Sequence, residues 1–171
     1  APAEVGLAYG LISLICGPAG VFAGGWVSDR LWKNGRTDAT LRTAMYGALA
    51  LLPFAVIAPF MPTGGLAIAL AVPITFLFAF PFGVAAAAIQ LVATPAIRAQ
   101  VTAIYLFFGT LIGLGAGPTV VALVTQQVFV ADDQLRYAVA LVAGVVIPLA
   151  ALAFRSGLAP LRRMVGTDAA H

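Results

Sequence analysis

"TAMYGALALLPFAVIAPFMPTGGLAIALAVPITFLFAFPFGVAAAAIQLVATPAI", residues 43–97, contains no charged side chain. A helix needs roughly 20 apolar residues to cross a ~30 Å hydrocarbon core. The stretch therefore holds two spans, divided by the tight turn Pro62-Thr63-Gly64-Gly65. The same counting applies outward. Val5 to Ser28, Ala99 to Ala131 and Tyr137 to Phe154 are also free of charge. Spans are predicted at 5–27, 41–60, 66–88, 95–128 and 137–154, with a polar cytoplasmic tail at 155–171. The fold class is all-α, a polytopic membrane helix bundle of about five spans.

Composition agrees. The chain is 62% apolar and 9% charged with mean hydropathy +1.05, where soluble domains carry about 25% charge. Cys16 is the only cysteine and lies in an apolar run, which excludes a disulfide framework. The start Ala-Pro-Ala-Glu shows neither an initiator Met nor a basic n-region, so no signal peptide is read and the chain is expected to belong to something longer.

The fourth span is too long. About 33 residues at 1.5 Å each reach roughly 50 Å, so the helix either projects beyond the bilayer or bends, with Gly117-Pro118 as the natural bending point. Its start is predicted at Thr94-Pro95, an N-cap followed by proline. Asp38 is the expected cap of the second helix.

Eight of the nine basic residues fall on one side of this five-span scheme: Arg30, Lys33, Arg36, Arg42, Arg98, Arg155, Arg162 and Arg163. Only Arg136 falls on the other, with Glu4, Asp132 and Asp133. The positive-inside rule then places the N-terminus outside and the C-terminus in the cytoplasm, with Trp26 and Trp32 at headgroup level. The +3 net charge is thus a membrane anchor rather than a nucleic-acid surface.

Small residues mark helix packing. Gly6, Gly10, Ser13, Gly17, Gly20 and Gly24 share one face of the first helix, and Gly109, Gly113 and Gly117 repeat the pattern on the fourth. Such stripes let backbones approach closely, either as static contacts or as sliding ones. On the third helix Thr75, Phe82, Gly83, Ala86 and Gln90 form a smaller, more polar face, with Ile74, Leu77, Phe78 and Pro81 pointing roughly the other way. The polar face suits a water-accessible cavity, although a membrane threonine commonly bonds its own i−4 carbonyl. No ionisable residue lies deep in a span, and no metal-ligand cluster, nucleophile–base pair or phosphate loop can be assembled. No enzyme activity, metal or cofactor is expected.

The cytoplasmic loop "GGWVSDRLWKNGR", residues 24–36, contains Gly25-x-x-x-Asp29-Arg30 followed by Lys33, Gly35 and Arg36. It resembles the G-x-x-x-D-R-x-G-R-R loop of the major facilitator superfamily, here with a slightly longer spacer. "ATPAIRAQVTAIYLFFGTLIGLGAGP", residues 93–118, looks like the beginning of helix eleven in the bacterial spinster-like branch. "DDQLRYAVAL", residues 132–141, fits the loop and helix that follow. The resemblance implies helices eight to twelve of a secondary active transporter in the inner membrane. Such a transporter moves a small organic solute or lipid-like molecule by alternating access, with its N-terminal half absent from this chain.

By the same resemblance, Thr75, Phe82 and Gly83 line the central cavity, while Gly10, Ser13, Gly17, Gly20, Gly109, Gly113 and Gly117 meet the missing half. Gly25, Asp29, Arg30, Gly35 and Arg36 form a cytoplasmic gate, in which the natural partner of Asp29 is a helix of the missing half and Arg98 is an in-chain candidate. The simpler reading of that loop is a solvated basic anchor. The alternative for the whole chain is a non-transporting scaffold or helix-interaction module. Finding no second set of six spans with its own such loop upstream would favour the scaffold.

Overall fold

A computed structural model describes residues 2–117, 119, 120, 122, 123 and 135–168. Among them the chain is all helix: α1 (Pro2–Lys33), α2 (Ala39–Ile57) with a 3₁₀ turn at Ala58–Phe60, α3 (Gly64–Val92), α4 (Arg98–Thr110) with a π-helical continuation at Leu111–Ala116, and α5 (Leu135–Asp168). Four stretches are long and apolar enough to cross a bilayer: Glu4–Lys33, Ala39–Phe60, Gly64–Ala85 and Arg136–Leu161. The expected loop at Asp132 and Asp133, the bending residue Pro118 and the terminal His171 lie outside the described residues.

Each helix ends where local chemistry stops it. α1 runs beyond the predicted boundary at 27, through Asp29, Arg30 and Lys33. Gly35, at φ +78°, terminates it. The Gly35 N–H donates to the Trp32 carbonyl and the Arg36 N–H to the Leu31 carbonyl, the paired bonds of a Schellman cap that requires a left-handed residue. The true loop is therefore only 34–38, shorter than the predicted 28–40. At α3 the Thr63 hydroxyl accepts the Leu66 N–H at 3.5 Å. Pro73 and Pro81 lie inside α3 without ending it.

Two boundaries move further. α4 starts at Arg98, because 95–97 form a turn in which the Ile97 and Arg98 N–H groups both donate to the Thr94 carbonyl. Within the described part of the long fourth segment the α-helix gives way to a π-helix at Leu111–Ala116, which contains Gly113 and Gly115, while the expected bending point Gly117-Pro118 extends outside the described residues. Glycines in such number weaken the regular α ladder, and a single wide turn is the usual outcome. At the other end, the polar tail from 155 is helical to Asp168. It finds a partner: Leu161 is buried, and Gly157 lies against the Leu41 side chain at the start of α2.

The helices stand in the order α1, α3, α2, α5. Gly20 faces Phe76 and Gly24 faces Phe80, so α1 and α3 run parallel. α5 runs antiparallel to α2, with Gly144 near Val56, Gly157 near Leu41, and Phe60 edge-on to Tyr137 at 5.4 Å. α4 touches only α3 to any extent. Apart from Val84 and Leu161, every buried apolar side chain among the described residues is an alanine. The large apolar groups point outward, Leu14 at 71% and Phe22 at 79% exposure. Water would not tolerate so large an apolar surface, whereas lipid does, and helices in lipid associate through small residues. The chain is a membrane helix bundle.

Candidate functional site

The topology gathers charge at one end. The end of α1, the 34–38 loop, the start of α2, the 93–97 turn, the start of α4 and the C-terminal half of α5 lie together, as a cavity shared by Leu41, Ala88, Ala93, Val101 and Leu161 shows. Arg30, Lys33, Arg36, Arg42, Arg98 and Arg155 all belong to these segments. Glu4 and Arg136 lie at the opposite end, where Val5 comes near Gly64 and Phe60 meets Tyr137.

The motif residues sit on and just beyond the final turns of α1. Gly25 is in the helix with open space where a Cβ would project. Asp29 and Arg30 are exposed, and Arg30 places its guanidinium 5.5 Å from the centre of the Trp26 ring. That i, i+4 stacking is a cation–π contact on the outer face of α1. Gly35 supplies the helix cap, and Arg36 and Lys33 are exposed. Asp29 forms no ion pair among the described residues. Arg98, the in-chain candidate, does not pair with it. Arg98 instead points Nη2 at the Ala93 carbonyl, 3.4 Å away, because the 93–97 turn folds that carbonyl back toward the first residue of α4.

An ion pair does form one loop further on. Asp38 is 2% exposed and receives Arg42 Nε at 2.7 Å. Asp38 stands at the N-cap position of α2 but its side chain does not cap. The carboxylate is drawn to Arg42 one turn along, since a charge-assisted bond is roughly twice as strong as a neutral one. The i, i+4 spacing Asp38-x-x-x-Arg42 was the signal for this pair, and reading Asp38 only as a cap missed it.

The other predicted contacts divide. Gly20 is used inside the chain: a Cβ there would collide with the Phe76 carbonyl oxygen. The α1 stripe is thus occupied by α3 at Gly20 and Gly24, rather than kept for an absent partner. Gly10 and Gly17 have nothing within 4 Å, and Ser13 is half-buried. Gly109, Gly113 and Gly117 are equally open.

Gly83 is a helix contact too, since a Cβ would lie 2.9 Å from Val21 Cγ1. Phe82 lines a groove of about 400 Å³ between α3 and α4, shared with Phe78, Tyr105, Gly109, Thr110 and Gly113. Phe78 belongs to that groove as well, its ring 5.6 Å from Phe82, so its assignment to the opposite face was wrong by about a third of a turn. Thr75 is half-buried. Thr43, Thr102 and Thr119 bond their own i−4 carbonyls, but no such bond is formed by Thr75 among the described residues. No cluster of metal-ligating side chains occurs among the described residues. No family model, curated protein or solved structure matches the chain.

Proposed function

We propose that this chain is the C-terminal part of a secondary transporter that moves a small organic solute or lipid-like molecule by alternating access, in the manner of the major facilitator superfamily. One observation carries the reading. The motif carboxylate, Asp29, stands exposed at the basic end of the bundle and forms no ion pair among the described residues. A carboxylate so placed is free to engage a helix N-terminus or arginine of another bundle. A contact made in one conformation only shifts the two-state balance by its own free energy. The open α3–α4 groove and the uncovered glycines of α4 fit a bundle whose second half lies across that surface.

In the intact transporter, Asp29→Asn is expected to change the uptake rate about five- to tenfold, the scale of ~1–1.4 kcal/mol for an anion at a helix N-terminus. Radiotracer uptake at matched membrane expression measures it, and unchanged uptake would remove the gate from the mechanism.

The same reading puts the basic end in the cytoplasm. In a Cys16→Ser background, cysteines placed at Asn34 and at Thr63 should react with an impermeant maleimide from opposite sides of the membrane. Labelling of Thr63→Cys from outside and of Asn34→Cys only after permeabilisation is expected. The reverse pattern would invert the orientation.

A further inference from the structure

Two buried polar side-chain atoms among the described residues have no hydrogen-bond partner: Thr40 Oγ1 and Arg98 Nε. They lie on different helices, far apart in sequence, yet both adjoin one apolar region at the basic end. Thr40, only 4% exposed, lines a cavity of about 280 Å³ with Ala44, Val84, Tyr105 and Phe154. Next to it is a more open cleft of about 450 Å³, walled by Ala93, Ile97, Val101, Pro160 and Leu161. Leu41, Ala88 and Ile89 belong to both walls, so the two spaces adjoin. Arg98 does not itself line the cleft, but its Nη2 reaches the carbonyl of Ala93, a residue of the cleft wall.

Leaving a buried hydroxyl and a buried guanidinium N–H unsatisfied costs ~1–3 kcal/mol each, more for the charged group. Native structures avoid this by a protein partner, ordered water or a ligand. Water fits poorly here, since a bound water wants two to four polar partners and these walls are almost wholly aliphatic and aromatic. What the space does fit is an acyl chain, and each volume is near or within the ~300–1,000 Å³ of ligand sites. The charge around the opening selects the head. Arg98 and exposed Arg155 are at this end, and the Arg42 guanidinium is already engaged by Asp38.

We infer that the basic end of the bundle carries a binding site for one anionic phospholipid of the adjoining leaflet. One acyl chain lies between α3, α4 and α5, and the Arg98 and Thr40 side chains turn to bring their covered donors to a phosphate oxygen and an ester carbonyl. The site is lateral to the α3–α4 groove and does not rest on the transport reading. It also accounts for the weak contact of α4 with the rest of the bundle, since a lipid chain fills the wedge that side chains leave.

The test is native mass spectrometry of the purified chain in mild detergent, with phosphatidylglycerol and phosphatidylcholine of identical acyl chains added at equal concentration. The expected result is one retained phosphatidylglycerol, preferred about tenfold, the ratio of ~1.4 kcal/mol. Arg98→Gln should bring the preference close to unity while an acyl lipid is still retained. Ala88→Phe, which fills the shared wall, should abolish retention of both lipids. Should Ala88→Phe not remain monodisperse, a phosphatidylglycerol with a photoreactive acyl chain on the wild type replaces it. Cross-links are then expected in peptides containing Leu41, Ala88 or Leu161. Equal retention of the two lipids by the wild type, a preference unchanged by Arg98→Gln, or cross-links confined to the outer face of α1 would each overturn the site. Displacement of the lipid by equimolar oleate would overturn the phospholipid in favour of a free fatty acid.

Discussion

Gly20→Leu should separate α1 from α3 and cost the bundle ~3 kcal/mol or more. Even a methyl group at this position would collide with the Phe76 carbonyl oxygen, and it would lie 3.0 Å from Ala79 Cβ. Neither neighbour is the end of a flexible chain. Backbone must move, and overpacking of that kind typically costs 1–3 kcal/mol, more where the strain cannot spread. Gly24→Leu is expected to behave alike, its added Cβ lying 2.5 Å from the Phe80 carbonyl oxygen. Gly10 is the internal control: it shares the stripe and the helix, but nothing lies within 4 Å of its Cβ direction. Gly10→Leu should stay within about ±0.5 kcal/mol. The fraction remaining monodisperse after heating in detergent measures the difference. Equal losses at Gly20 and Gly10 would refute the α1–α3 contact.

The second large effect is expected at the Asp38–Arg42 pair. Arg42→Met keeps the aliphatic stem but removes the cation 2.7 Å from a carboxylate whose side chain is 3% exposed. Removing one partner of a buried pair typically costs 3–5 kcal/mol, because the remaining charge stays buried. Arg42 itself is 21% exposed, so solvent screens part of the pair and the loss is expected to be smaller than for a fully buried one. Replacing both groups should cost less than replacing Arg42 alone. A cycle with Asp38→Asn, read by the same heating assay, should show a favourable, non-additive coupling between the two positions. Strict additivity would mean that the pair contributes nothing to stability.

Much of the architecture was readable because lipid imposes a simple rule. Apolar runs of sufficient length became helices in four of five cases, and Asn34-Gly35 stopped α1 as a left-handed cap should. The fifth run, described only in part, departs from a regular α-helix at Leu111–Ala116, because hydropathy measures solvent, not backbone regularity. Four glycines between 109 and 117 leave hydropathy high while weakening the α ladder. The stripe on α1 was legible as a contact, but its owner was not. Periodicity identifies the face that packs, and only the crossing of two helices decides whether Gly20 meets α3 or another chain. The same limit hid the role of Gly83, which reads as one side of a cavity and proves to be a seat for Val21. Asp29 and Arg98 are of opposite charge and share the basic side of the predicted topology, so Arg98 reads as a candidate partner. The turn at 93–97 gives Arg98 a closer acceptor in its own backbone. The neighbouring orphan atoms could not be seen in sequence at all, since burial of Thr40 depends on three helices arriving together.

The seating of α5 on α2 has a consequence for biogenesis. During synthesis a ribosome delivers α2 long before α5, and the intervening chain must clear the translocon first. Until then the flank of α2 that carries Leu41, Val56 and Phe60 has no protein cover. Burial of that flank therefore has to await the arrival of α5. Any premature stop codon ahead of residue 135 would release a product with that flank bare, a natural substrate for membrane quality control.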